Sequence, residues 1–340
     1  MKRPVRRSSH SQACNLSPAC IRLEDRQLLS GNVVVAFDGT NLVITGDSSA
    51  NQVQVFYDGA DVIVRGLEDT KINGGNADFV AAAATNTLPG DVLVNLQKGN
   101  DLFYVSDGVV VTGDVRVQPG AGHDKTVITD ATVGGDIVIG MPFDIADDPG
   151  NDSVAVDNTT ATSVIVATGA GHDVVFMTSV AASEDVIVLM GAGNDALSGN
   201  FTANSNVLVG AGAGNDLFVG EFQAGGFGID MEAGNDLLFL SEVDQSDPAR
   251  QASINLGAGN DKATIGLDSA SLASFLSVTG SSGTDKFFLA PGATLAEGLL
   301  ISDVESTAPY IVVSDPAAMK PFKSSLKRFE AFVDAISMLP

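Results

Sequence analysis

Aspartate returns at a fixed place in this chain. Asp173, Asp195, Asp216 and Asp236 lie 22, 21 and 20 residues apart, and each closes a short phrase: Gly169-Ala-Gly-His-Asp173, Gly191-Ala-Gly-Asn-Asp195, Gly212-Ala-Gly-Asn-Asp216 and Glu232-Ala-Gly-Asn-Asp236. Related phrases end at Asp101, Asp124, Asp152, Asp261 and Asp285. If each period is one turn of a coil, the carboxylates come to one line roughly 5 Å apart. Two such neighbours repel by about 3 kcal/mol at an effective dielectric of about 20, and by under about 1 kcal/mol in bulk water. The chain must therefore splay these side chains into water, place them on turn amides, or hold a cation between coils. Ca²⁺ suits the last case, because it takes six to eight oxygens and accepts backbone carbonyls. The candidate metal ligands are Asp124, Asp173, Asp195, Asp216, Asp236 and Asp261, with Gly171, Gly193, Gly214, Asn194 and Asn215 in the same turns. The strongest sites are expected at Asp173, Asp195 and Asp216, where successive phrases are most complete.

Other chemistry is thinner. His123 and His172 stand where other copies carry Asn, and turn geometry accounts for both. No Ser–His–Asp, zinc or phosphate-loop spacing is visible. Arg116 and Lys125 could lie near each other on the outside of one coil, where a basic residue beside outward carboxylates would serve a polysaccharide-active enzyme and lone solvated charges explain them equally well.

The elements that must position these residues are short strands. In all nine phrases Gly lies two residues before Asp, which calls for positive φ or close backbone approach. Apolar residues alternate on both sides, as in Val164/Val166 before Asp173 and Val175/Met177 after it. That is strand, turn, strand with one face buried. A third apolar point follows in each period, at Val111, Val133, Val180, Phe201, Phe222 and Val243 among others. Three faces per period predict an all-β, right-handed parallel β-helix with coils of about 20–28 residues, in which one coil cannot bury its own core but a stack can. Asp38-Gly-Thr-Asn41 and Asp58-Gly-Ala-Asp61 are hairpin signals. Their matching register makes them the expected first two coils, with Ile72 and Phe79 marking a third. Twelve or thirteen coils would give a rod of roughly 60 Å. The interval from Asp124 to Asp152 is long and predicts a bulging loop around 142–147.

The predicted domains are a basic N-terminal leader over 1–31, the β-helix over 32–314, and a C-terminal cap over 315–340. The cap is expected to be mostly helical, because Leu326, Phe329, Phe332, Val333 and Ile336 have helical spacing. Outward stripes of apolar residues (Ile165, Ile187 and Leu208; Phe176, Val219 and Phe239) point to a covering loop, self-association or adhesion.

Composition bounds the partners. The net charge is −24, which disfavours nucleic acid and anionic membranes and favours cations. A hydrophobic fraction of 44% with mean hydropathy of +0.21 argues for a folded core rather than a disordered acidic chain. Six of the 18 basic residues and both cysteines, Cys14 and Cys20, lie in the first 31 residues. No apolar run follows the basic start, so a conventional signal peptide is not visible, and no transmembrane segment is expected.

Two resemblances follow from these residues. The phrase Gly191-Ala-Gly-Asn-Asp-Ala-Leu197 resembles the RTX, or haemolysin-type, calcium-binding repeat. It departs from that pattern in lacking the first Gly, where Thr168, Met190, Ala211 and Leu256 stand, and in its period of about 22 rather than 9 residues. The resemblance implies at most one calcium ladder along one edge. The stretch Leu23-Glu-Asp-Arg-Gln-Leu-Leu-Ser-Gly31 resembles the LEPR-XLL segment of large exported bacterial surface proteins, with Asp25 in place of the usual proline. It implies an extracellular or cell-surface destination. Together these readings predict a non-enzymatic structural or adhesive surface component that binds calcium, with cell-envelope polysaccharide or another surface protein as partner. The alternative is a lyase-like enzyme on acidic polysaccharide.

Overall fold

A computed structural model describes residues 31–140, 149–290, 293–296 and 298–304. The leader with its LEPR-XLL-like stretch, the loop around 142–147, and the C-terminal cap lie outside these residues. Among the described residues there is no helix.

The body is a parallel β-solenoid with three sheets, and period-two patterning explains each. Val92–Asn95 begins a coil in the first sheet, Leu102–Ser106 continues it in the second, and Val110–Val111 closes it in the third. The next coil repeats the set in parallel register: Val115 against Val92, Phe103 against Thr126, Val111 against Val133. From here to Leu299–Ser302 every inter-coil pairing is parallel. In the middle of the stack the chain passes from the second sheet through the third to the first as single long strands, Ala196–Gly210 and Leu217–Asp230, whose register shifts at the bend between Ala203 and Asn206.

The inward positions predicted from alternation are buried, for example Val164, Val166, Val175, Met177, Val186 and Val188. They form one core running the length of the stack. Burying each such side chain stabilises by about 1.5–3 kcal/mol. Phe201 and Phe222 stack on adjacent coils at 5.9 Å inside this core, and Phe227 meets Phe222 edge-on at 5.3 Å. The residues that replace the first RTX glycine also point inward, and Thr168, Met190, Ala211 and Leu256 are all buried. They extend the apolar core to the start of the turn.

The N-terminal units correct the expectation of two ordinary coils. Asn32–Phe37 pairs antiparallel with Leu42–Thr45, and Gln52–Tyr57 pairs antiparallel with Val62–Gly66. Both Asp-Gly turns are therefore hairpins. The physical reason lies in the place of the aspartate. Asp38 opens its turn and its Oδ1 accepts the amides of Thr40 and Asn41 at 2.8 and 2.7 Å; Asp58 does the same for Ala60 and Asp61. Such an Asp closes its own turn and offers nothing to a neighbouring coil.

The inner strands of the two hairpins, Leu42–Thr45 and Gln52–Tyr57, pair parallel with Val92–Asn95 and Leu102–Ser106. They make one coil between them, and the outer strands extend the sheets beyond it. Ile72 and Phe79 do not mark a third coil. Lys71–Ile72 pairs with Asn32–Val33, and Phe79–Ala82 runs antiparallel to the strand at Val62. Arg65 grips Asp78 at 2.7 Å and lies over the Phe56 ring, fixing this end. Among the described residues the stack thus has ten rungs at the aspartate corner, Asn51 and nine aspartates, for a length of about 43 Å. That is shorter than the repeat count suggested.

Candidate functional site: the aspartate corner

The turn between the first and second sheets places the nine aspartates on one line. The glycine two residues before each Asp is what allows the stack. At Gly193 an added Cβ would lie 1.4 Å from the carbonyl oxygen of Gly171, and at Gly214 only 1.2 Å from that of Gly193. Gly214 also has φ +150°, so close approach and backbone conformation both demand glycine there. Backbone hydrogen bonds continue the sheet across the turn: the Gly193 amide donates to Ala213 O at 2.7 Å, and Ala213 N–H donates to Gly191 O at 2.9 Å.

All nine aspartates are buried, at 5% exposure or less. Of the three options open to the sequence, the carboxylates take the turn amides, but those of the neighbouring coil. Asp173 N–H donates to Asp195 Oδ1 at 2.7 Å, Asp195 N–H to Asp216 Oδ1 at 2.8 Å, and Asp216 N–H to Asp236 Oδ1 at 2.8 Å. The ladder runs from Asn51 to Asp285, so it also recruits Asp101, Asp152 and Asp285, which were not among the candidate ligands.

One residue earlier a second ladder runs with opposite polarity. Asn215 N–H donates back to Asn194 Oδ1 at 2.7 Å, and Asn235 N–H to Asn215 Oδ1 at 2.9 Å. The two histidines belong to it. Nδ1 of His123 accepts the amide of Asn151 at 2.7 Å, and Nδ1 of His172 accepts that of Asn194 at 2.8 Å. Each imidazole therefore carries its proton on Nε2 when neutral.

A third ladder lies where the first sheet begins. Asp114 N–H donates to Asp91 Oδ1 at 2.9 Å and Asp136 N–H to Asp114 Oδ1 at 2.8 Å. Its signal is present in the sequence as a polar residue ten positions before most corner residues, at Asn41, Asp91, Asp114, Ser163, Asp185 and Asn206. Arg116 pairs with Asp114 at 2.6 Å. Arg116 and Lys125 lie on different sheets, in Val115–Gln118 and Lys125–Thr129, with the turn at Gly120 to Asp124 between them.

The electrostatics of the aspartate ladder are severe. Oδ2 of Asp101, Asp216, Asp236 and Asp261 is buried with no hydrogen-bond donor in reach. Burial pushes the carboxyls of Asp101, Asp216 and Asp261 up to about 7, and that of Asp236 to about 8. The amide bonds oppose this shift, while neighbouring carboxylates, such as Asp216 and Asp261 beside Asp236, add to it. Among the described residues no three acidic or histidine side chains converge on one point. An ion held at this corner would draw on successive carboxylates and on turn carbonyls.

No family model, curated protein or solved structure matches this chain. No helix among the described residues is long and apolar enough to cross a membrane.

Proposed function

We propose that this chain is an exported structural or adhesive rod at a cell surface, and that its aspartate corner takes up Ca²⁺. The observation that carries the calcium reading is the row of buried Oδ2 atoms without a donor at Asp216, Asp236 and Asp261. An ionised carboxylate so placed requires a counter-charge. Asp124, Asp173, Asp195, Asp216, Asp236 and Asp261 would supply the charge. The glycine-rich turns at Gly171, Gly193 and Gly214, with Asn194 and Asn215 beside them, would supply backbone oxygens. Bound calcium neutralises the column in place of protons and ties adjacent coils together. The surface role is supported by the LEPR-XLL-like stretch, the acidic body and the uninterrupted stack. In such a rod rigidity is the working property, and cell-envelope polysaccharide or another surface protein is the partner.

The test is thermal unfolding of the full chain above about pH 8, where the carboxyls of Asp101, Asp216, Asp236 and Asp261 ionise, with millimolar Ca²⁺ and with chelator. A calcium-dependent rise in Tm that disappears in Asp195→Ala supports the reading. An unchanged Tm in both proteins would mean that the aspartates serve only as amide acceptors.

A further inference from the structure

Away from the aspartate corner, the bend between the second and third sheets carries a notch that the repeat does not require. On the outer face of the second sheet, Phe176, Ser198, Val219 and Phe239 occupy four consecutive rungs. The two phenylalanines are half-buried and stand three rungs apart, about 14 Å. The smaller residues between them leave a hollow of about 350 Å³. Its floor runs over the bend at Gly199 and Gly220, which have no side chains to interrupt it. Beyond the bend it joins a groove of about 470 Å³ lined by Glu221, Gln223, Glu242 and Asp244, and Asn200 and Glu221 belong to both.

The polar side of the notch is acidic. Asn200 pairs with Glu221 on the next coil, and the register then shifts by one residue, so that Glu221 alone stands opposite Ser241 and Glu242. Glu221 and Glu242 both line the groove at this irregularity. None of the three ion pairs among the described residues involves Glu221, Glu242 or Asp244. Donors stand among the acceptors: Gln223 donates to Asp244 at 2.7 Å, and the Asn200 side chain accepts the Ser179 amide while keeping its own NH₂ group.

We propose that this notch binds a sugar chain of amino-sugar units. Two aromatic walls suit the apolar faces of pyranose rings. A repeat of one carboxylate or amide per rung suits successive hydroxyl groups, and carboxylates without a basic partner pair with the ammonium of an amino sugar. The same charges repel uronates, so acidic polysaccharide is excluded from this groove. The proposal gives the adhesive role a site of its own and does not depend on calcium at the opposite corner.

Calorimetry on the folded full chain, in calcium and in chelator, tests it with four probes: a neutral β-linked glucose hexasaccharide, a chitosan hexasaccharide, an oligogalacturonate and oligolysine. Binding of the chitosan chain is expected, with weaker binding of the neutral chain and none of the oligogalacturonate. Phe239→Ala and the isosteric pair Glu221→Gln/Glu242→Gln should each weaken binding at least about tenfold. Leu208→Ser, on the outer face of the first sheet, should leave binding unchanged. The isosteric pair keeps the test open if Phe239→Ala fails to fold. No binding of the chitosan chain by the folded protein, chitosan binding that survives the glutamine pair, or preference for oligolysine would overturn the proposal.

Discussion

The amide of Asp216 donates to Oδ1 of Asp236 one coil later, at 2.8 Å. The carboxylate is thus a structural part of its neighbour's turn. This separates the two jobs of the side chain, accepting a hydrogen bond and carrying a charge. Asp236→Asn keeps the acceptor and removes the charge, so the fold should persist, measured by circular dichroism and melting. Asp236→Ala leaves the Asp216 amide buried without an acceptor and should cost about 1–3 kcal/mol, read from chemical denaturation.

The pH dependence has a definite sign. The folded-state pKa values of Asp101, Asp216, Asp236 and Asp261 are raised to about 7 or 8 from the ordinary 3.8. The folded chain therefore binds more protons than the unfolded one between these limits. The stability they contribute is complete below about pH 4, declines as pH rises, and is lost above about pH 8. In chelator, Tm should fall across that range. Asp236→Asn should flatten the fall, and on the calcium reading Ca²⁺ should restore Tm at the alkaline end.

Glycines at the corner and on the strands should behave oppositely. Gly193→Ala places a Cβ 1.4 Å from Gly171 O in the middle of the stack. It should destabilise by more than about 4 kcal/mol or prevent folding, since backbone on both sides must move. Gly210 faces outward, and an added Cβ there would meet only side chains, Leu189 at 3.2 Å and Glu232 at 3.8 Å. Gly210→Ala should change stability by less than about 1 kcal/mol, judged from urea midpoints.

The histidine rungs predict a spectroscopic signature. With Nδ1 of His123 and His172 accepting backbone amides, ¹⁵N chemical shifts of the neutral rings should report the Nε2–H tautomer. His123→Asn restores the commoner rung residue and should fold normally. His172→Ala removes the acceptor of Asn194 N–H and should cost about 0.5–1.5 kcal/mol.

Much of this architecture was legible because a repeat exposes its own constraints. Glycine in all nine phrases announced a close approach, and alternation around Val164 or Val186 announced the core. What was not legible followed from local ambiguity. Asp-Gly at Asp38 and Asp58 fits both a hairpin and a coil bend. Only the position of the carboxylate, opening the turn rather than closing it, separates the two cases. The burial of the ladder was likewise hidden, because an Asp in a glycine-rich turn reads equally well as splayed into water. The third ladder could have been found from the polar residue ten places upstream. The acidic bend at Glu221 and Glu242 had no such regularity, and only the folded stack brought both residues to one groove.

The opposed polarity of the aspartate and asparagine ladders has a consequence for how this chain can change length. Each coil offers an Asp amide and an Asn Oδ1 to the next coil, and the complementary Asp Oδ1 and Asn amide to the one before. Removing or duplicating one whole period therefore leaves every joint chemically intact, and the molecule behaves as a ruler graduated in coils. An insertion of part of a period has no such freedom within the corner itself. It must be looped out elsewhere on the perimeter, and the one overlong interval, between Asp124 and Asp152, still closes its rung at 2.8 Å.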